Sequence, residues 1–189
     1  MRTITFVTGN ANKLLEVQRM LAATPSVRLV SKDINLPELQ GMPPEVAVAK
    51  CKAAAKLVDG PVLVEDTSLC FNALNGLPGV FVKWFEQKCG LEGLVRLLAG
   101  HEDKSAYAQC IFALTAGPDA EVLLFTGRTD GRIVAPRVAP GNQPFGWDPI
   151  FEPAESGGRT FCEMTKDEKN AISHRGRALR ALVDHLTSS

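Results

Sequence analysis

Two adjacent acids in this sequence, Glu65 and Asp66, have the type and position needed for proton transfer or metal binding. They follow the short apolar run VLV at 62–64, which is typical of a buried strand. Because neighbouring strand residues point to opposite faces, we expect one carboxylate to face a site at the end of that strand. Carboxylate oxygens accept protons and are the ligands that Mg²⁺ prefers. The alternative is a turn capped by the Asp66 side chain.

Lys13 stands in the first turn of a predicted helix, directly after the turn Gly9-Asn10. Acidic residues are preferred there, because the N-terminus of a helix is already partially positive and Asn10 is its expected N-cap. A lysine beside free backbone N–H groups is typical of a phosphate cradle, and a solvated lysine is the alternative. The sequence contains neither the P-loop pattern nor G-x-G-x-x-G, so the two familiar nucleotide-binding folds are not supported.

Three further basic residues fall on predicted inward faces of helices. Lys50 either extends along its stem to solvent or reaches a buried anion. The same predicted face carries Val46, Ala53 and Leu57. His174 and Arg175 point inward on a C-terminal helix, which requires either a salt bridge or a ligand that accepts hydrogen bonds.

The segment Phe145-Gly146-Trp147-Asp148 combines two aromatic rings, a glycine and an acid. Such a loop can stack on a nucleobase and hydrogen-bond its edge, and aromatic rings that fill the core are the alternative. Glu38, in the stretch LPELQG, is by residue type a solvated acid. The sequence lacks G-x-S-x-G and H-E-x-x-H, so acyl transfer and zinc proteolysis are not supported.

The elements that must position these residues alternate between strands and helices. Strands are predicted at 3–8, 27–31, 62–64, 105–116 and 121–135, with the third ending at 65–68. Helices are predicted from residue 10 through Leu21, and at 44–58, 80–98 and 167–186. This order, with adjacent strands late in the chain, predicts an α/β fold with a mixed sheet in a single domain over residues 1–189.

The composition is that of a soluble globular domain, with 189 residues of which 45% are hydrophobic. The chain has 21 basic and 21 acidic residues, which excludes a broad nucleic-acid-binding surface but allows a cleft for a small anion. Its five cysteines form no C-x-x-C pair, which favours reduced thiols in the cytoplasm. No apolar stretch is long enough to span a bilayer, so no membrane association is expected.

Several separated blocks closely resemble the inosine triphosphate pyrophosphatase family. They are TGNANK at 8–13, EDT at 65–67 with LPG at 77–79, FGWD at 145–148 and SHR at 173–175, and EDT is most similar to the eukaryotic branch. The resemblance implies a long mixed β-sheet with flanking helices, two lobes around a central cleft, and a cytoplasmic homodimer. It also implies hydrolysis of ITP, dITP and XTP to the monophosphate and pyrophosphate with Mg²⁺, or with Mn²⁺ as a substitute. This activity would clear deaminated purines from the nucleotide pool.

The resemblance further implies a role for each matching residue. The triphosphate would be held by Thr8, Gly9, Asn10, Ala11, Asn12 and Lys13, with Thr67, Lys50, Lys83 and Lys169 adding contacts. The metal ligands would be Glu38 and Asp66, and the catalytic residues Asp66, Glu65 and Lys13. The base would be bound by Phe145, Gly146, Trp147, Asp148, His174 and Arg175. Donors from His174 and Arg175 would suit the C6 oxygen of inosine or xanthine and not the amino group of adenine.

Two other functions fit parts of the sequence. A Maf-type pyrophosphatase for modified or pyrimidine nucleotides would be similar in fold and reaction, but the FGWD and SHR blocks disfavour it. A catalytically silent nucleotide-binding sensor would not need the water-activating acids at Glu38, Glu65 and Asp66.

Overall fold

The predicted alternation of strands and helices is confirmed in the computed structural model, which describes residues 2–21 and 27–188. The helices are α1 (Ala11–Leu21), α2 (Pro43–Ala55), α3 (Val82–Arg96), α4 (Lys166–Ile172) and α5 (His174–Ser188). The strands are β1 (Arg2–Val7), β2 (Val27–Lys32), β3 (Val62–Phe71), β4 (Pro78–Gly79), β5 (Ser105–Thr115), β6 (Val122–Ile133) and β7 (Phe151–Pro153). No helix in the described ranges is both long enough and apolar enough to cross a membrane.

The strands form one mixed sheet in the order β2-β1-β3-β5-β6-β7, with β4 paired to β3. β1 runs parallel to both β2 and β3, in a register that places Val7 opposite Lys32 and Thr5 opposite Val62. β4 on β3 and β7 on β6 are antiparallel. Because β1 and β2 end side by side, the residues that follow them are brought to the same edge of the sheet.

The chain divides into two compact units. The first comprises Met1–Asp66, Cys110–Gly127 and Arg177–Ser189, and the second comprises Thr67–Gln109 and Arg128–Gly176. Each unit has its own hydrophobic core, and each is described separately below.

The first unit packs helices on both faces of its strands. On one face, Phe6 and Leu63 pack with α1 and with α5 through Leu179. On the other face, Val62 and Val64 pack with the buried side of α2. The alternation of strand side chains therefore assigns odd-numbered residues of β3 in this unit to the α1 face and even-numbered ones to the α2 face.

The second unit is organised around buried aromatic rings. Its core is formed by residues of β3, α3, β5 and the segment 147–164, including Phe71, Leu94, Trp147, Phe151 and Phe161. Trp147 meets Phe151 edge-on, with ring centres 5.7 Å apart. The base-binding block predicted at 145–148 therefore begins at the margin of this core and continues into it.

The predicted end of the third strand is wrong. β3 continues through Glu65 and Asp66 to Phe71, so the two acids lie within the strand. It continues because Leu69 and Cys70 pair with β4 and are buried, which a polar stretch at 65–68 does not reveal.

The single helix predicted at 167–186 is also wrong, because α4 and α5 are separated at Ser173, which has extended backbone angles. The hydroxyl of Ser173 accepts a hydrogen bond from the Gly176 N–H at 3.0 Å and so stabilises the first turn of α5. A Cβ at Gly176 would lie 2.1 Å from the carbonyl oxygen of Asn170, so this close approach requires glycine.

The apolar face predicted for the second helix differs from the observed one. The buried residues of α2 are Val46, Ala47, Cys51, Ala54 and Ala55. Leu57 lies beyond the end of α2 and is exposed. The prediction placed Lys50 on a stripe that included Leu57, because the sequence does not show that the helix ends at Ala55. Lys50 is half-buried at the margin of the true buried face.

Candidate active site

The turn between β1 and α1 carries the predicted phosphate-binding residues. Asn10 is the N-cap, as predicted, and its Oδ1 accepts a hydrogen bond from the Lys13 N–H at 3.2 Å. The Asn10 N–H donates to the hydroxyl of Thr8 at 3.1 Å, which fixes the turn. The first turn of α1 contains no acid, so no side chain of its own compensates the positive end of the helix. Gly9 and Ala11 are exposed, and the side chain of Asn12 lies outside the described part.

Lys13 forms an ion pair with Glu65 on the α1 face of β3. Its Nζ lies 3.0 Å from Oε1 of Glu65, whose side chain is almost completely buried. A buried carboxylate requires such a partner, because an unpaired charge in this position would cost several kcal/mol, about 3–5 by analogy with broken buried pairs. The alternative of a solvated Lys13 is therefore wrong in this structure.

Lys50 reaches Asp66 on the opposite face of the same strand. Its Nζ lies 3.4 Å from Oδ1 of Asp66 and donates a hydrogen bond to the carbonyl oxygen of Glu65 at 3.1 Å. Of the two readings of Lys50, the structure supports the one in which it reaches an anion, here the partly buried Asp66. The neighbouring acids Glu65 and Asp66 thus each meet a lysine from a different helix, as strand alternation requires.

Asp66 combines an ion pair with an unsatisfied oxygen. Its Oδ2 is buried and accepts no hydrogen bond from any residue that the structure describes. Burial raises the pKa of this carboxyl above its usual range, against the opposing effects of Lys50 and Lys13. Buried polar atoms are normally satisfied, so this oxygen is suited to accept a proton or to bind a cation.

The predicted metal ligands fit a hard cation by chemistry, since both are carboxylates and Oδ2 of Asp66 has no protein partner. Glu38 is exposed, in the segment between β2 and α2. Within residues 2–21 and 27–188, no three side chains of His, Cys, Asp or Glu are grouped so that they could hold a metal ion.

In the second unit, the two aromatic rings of the loop at 145–148 differ in burial. Trp147 is 7% exposed and stacks on His174 with ring centres 5.4 Å apart, so the core-filling alternative is correct for this residue. Phe145 is half-buried, with the Lys169 Nζ 5.5 Å from its ring centre. Gly146 between them has a φ of +54°, which favours glycine and turns the chain between the two rings.

Asp148 and Lys169 form a close ion pair beside this loop. Nζ of Lys169 lies 2.5 Å from Oδ2 of Asp148, and both side chains are largely buried. His174 and Arg175 are buried at the start of α5, at 4% and 6% exposure, as their inward placement predicted. Of these residues, His174 stacks on Trp147, and Lys169 lies over the rings of Phe145 and Phe161.

The remaining predicted residues also lie in the second unit. Thr67 is half-buried in β3, next to Asp66 in sequence, and Lys83 is exposed in the first turn of α3. The first unit therefore holds the predicted metal ligands and the phosphate residues at 8–13 with Lys50, while the second holds the predicted base-binding residues together with Thr67, Lys83 and Lys169. Their roles stay predictions.

Two acids near these groups were missed by the sequence analysis. Asp33 follows β2 directly, and a Cβ at Gly9 would lie 2.8 Å from its Oδ1. Its position after a strand parallel to β1 is a signal that could have identified it. Glu86, on α3, lies beside Gly146, and no sequence signal distinguishes it from other helical acids.

Comparisons with known proteins all point to one family and cover nearly the whole chain. The model of the Ham1 family matches residues 4–185. A HAM1 protein from Coxiella burnetii is 32% identical, with 100% of both chains covered and a TM-score of 0.90. The Ham1 protein of Staphylococcus aureus is 26% identical, with 99% of both chains covered and a TM-score of 0.83.

A third solved structure adds the description of an activity. A Mycobacterium abscessus protein described as a nucleoside-triphosphatase / dITP/XTP pyrophosphatase is 32% identical, with a TM-score of 0.76. The alignment covers 97% of this chain and 99% of that one. Because the family model spans nearly all of the sequence and the fold agrees throughout, the chain belongs to the Ham1 family.

Proposed function

We propose that this chain hydrolyses ITP, dITP and XTP to the nucleoside monophosphate and pyrophosphate. Membership in the Ham1 family supports nucleoside triphosphate pyrophosphatase activity, and one relative is described as a dITP/XTP pyrophosphatase. The observation that carries the proposal is the buried, unpartnered Oδ2 of Asp66 beside Lys50. An enzyme that activates water needs a carboxylate oxygen held in this way, and a protein that only binds nucleotides does not.

The triphosphate binds at the N-terminus of α1. The positive end of the helix favours the phosphate charge, although the N–H groups of Thr8, Asn10 and Lys13 already donate within the protein. Lys13 and Lys50 add positive charge from two helices of the first unit. Because Lys13 and Lys50 are already held by Glu65 and Asp66, little rearrangement is needed to stabilise negative charge as the reaction proceeds.

Asp66 is the proposed proton acceptor. Glu65 is buried and engaged by Lys13, which supports a role in positioning that lysine. Asp66 has an oxygen without a protein partner, and its raised pKa makes it a stronger base than an ordinary aspartate. It takes a proton from water as the water oxygen bonds to the α-phosphorus and the bond to the pyrophosphate leaving group breaks.

Glu38 and Asp66 are the residues that would hold Mg²⁺, with Mn²⁺ as a substitute. When bound, the cation would neutralise charge on the phosphoryl oxygens and lower the pKa of a bound water. The exposed position of Glu38 leaves its carboxylate accessible to solvent and to a nucleotide.

Base recognition is assigned to the second unit. Phe145 is half-buried and can offer a ring face to a purine, while Trp147 fixes the loop and His174 by packing. Donors at His174 and Arg175, with the backbone at 146–148, would pair with the C6 oxygen of inosine and xanthine. Adenine has a donor at C6, so ATP would leave donors facing donors.

The same proposal includes a cytoplasmic homodimer that clears deaminated purines from the nucleotide pool. The three solved relatives described above are bacterial, and the triplet EDT at 65–67 is the feature that supports an affinity with the eukaryotic branch.

The test is a substrate panel. The purified protein is incubated with Mg²⁺ and ITP, dITP, XTP, GTP, ATP or UTP, and both monophosphate and pyrophosphate are measured. Equal amounts of the two products from ITP, dITP and XTP, with little from ATP, are expected. Preference for UTP would support the Maf-type alternative. Nucleotide binding without products in folded protein would support the silent sensor.

A further inference from the structure

Glu86 is an acid at the base-binding loop that the proposed function does not use. It lies on α3, in the turn after Lys83, and is half-buried. A Cβ placed on Gly146 would lie 3.7 Å from Oε2 of Glu86, so the carboxylate sits directly against the turn between Phe145 and Trp147. Glu86 therefore lies beside the loop that carries Phe145.

The surroundings of Glu86 disfavour negative charge. Burial and, secondly, the nearby charge of Asp148 raise the pKa of Glu86 above its usual range. The positive charge of Lys169 is already engaged by Asp148 at 2.5 Å. Lys83 lies one turn earlier on α3, and His174 and Arg175 lie at the start of α5 in the same unit.

We propose that Glu86 is a specificity-determining residue that disfavours nucleotides whose purine base is negatively charged. The proposal rests on the proposed function, in which Phe145–Asp148 binds the base. Among the candidate substrates, the xanthine ring of XTP loses a proton near neutral pH, whereas hypoxanthine in ITP keeps its N1–H until clearly alkaline pH. Like charges placed together across a binding site select against the wrong partner, so Glu86 lowers the use of XTP relative to ITP.

The experiment compares kcat/KM for XTP and ITP in the wild type, Glu86→Gln and Glu86→Ala at pH 6 and pH 8. Both variants remove the charge, so each is expected to raise the XTP/ITP ratio at pH 8 by about fivefold, the effect of one charge a few ångströms away in a polar site. The rise should shrink at pH 6, where more of the xanthine is neutral. Glu92→Gln is the matched control, because it removes an exposed carboxylate from the part of α3 that follows the break at Gly90.

An unchanged XTP/ITP ratio at pH 8 in both variants would overturn the proposal, as would an equal rise in Glu92→Gln. If the wild type releases no pyrophosphate from either nucleotide, the proposed function is wrong. The base preference is then measured by titration calorimetry as the ratio of dissociation constants for XMP and IMP. A ratio that Glu86→Gln leaves unchanged in that measurement also overturns the proposal.

Discussion

Lys50 and Asp66 form an ion pair that engages only one of the two carboxylate oxygens. Nζ of Lys50 lies 3.4 Å from Oδ1, while Oδ2 is buried and has no hydrogen-bond partner in the described part of the chain. On the opposite face of β3, Lys13 holds Glu65 at 3.0 Å. Of these two adjacent acids, Glu65 is therefore held by its lysine, whereas Asp66 keeps one oxygen that can accept a proton.

Asp66→Asn is expected to abolish turnover while nucleotide binding remains measurable. Loss of a general base lowers kcat by about 10²–10⁴-fold. Burial raises the pKa of Asp66, so keeping it ionised at pH 7 costs folding free energy, and the variant should melt no lower than the wild type. Pyrophosphate release, ITP titration calorimetry and thermal melting measure the three effects.

The control for this variant is Asp59→Asn, which neutralises an exposed aspartate before β3. A kcat near the wild-type value in Asp66→Asn would show that another group takes the proton. A melting temperature well below that of the wild type would show that the carboxylate is structural.

Lys50→Met is expected to change both the rate and its pH dependence. Loss of one charge-stabilising donor lowers kcat by about 10²-fold. Lys50 lowers the pKa of Asp66, so removing it raises that pKa further and moves the acid limb of the kcat profile to higher pH. Lys52→Met, which removes an exposed lysine from the same helix, should leave the limb in place. If the acid limb does not move in Lys50→Met, the limb does not report the titration of Asp66.

Arg175→Ala tests whether the buried guanidinium recognises the base or only supports the fold. Loss of a hydrogen bond from a charged group costs about 1.5–3 kcal/mol, so KM for ITP should rise about 10–100-fold while discrimination against ATP weakens. Arg180→Ala, an exposed change on the same helix, is the control for both kinetics and thermal melting. A large loss of melting temperature with unchanged kinetics would identify Arg175 as part of a structural salt bridge.

Much of this site could be predicted from residue types. The lysine at the start of α1 breaks the usual preference for acids, and strand alternation correctly separates Glu65 from Asp66. The pairing of each acid with its lysine could not be predicted, because it depends on which helix covers which face of β3. The continuation of β3 through these polar residues could not be predicted either, because it depends on the pairing of Leu69 and Cys70 with β4.

The missed features depend on contacts between distant segments. The break at Ser173 requires the approach of Gly176 to Asn170, and the helical pattern of the sequence continues through it. Glu86 has the same residue type and periodicity as any exposed helical acid. Only the packing of α3 beside Gly146 gives it a position in the site.

The cysteines provide a test that does not depend on activity. Burial raises the pKa of Cys51 to about 12, and its Sγ lies 3.4 Å from the carbonyl oxygen of Ala113. Since the thiolate is the nucleophile, Cys51 should resist iodoacetamide at pH 8 in the folded protein, while the exposed Cys89 reacts. Peptide mass spectrometry should find Cys89 as the main modified site and Cys51 modified only after denaturation. Cys89→Ser should remove most of the native-state labelling, and rapid labelling of Cys51 in folded protein would contradict the packing of α2 on the sheet.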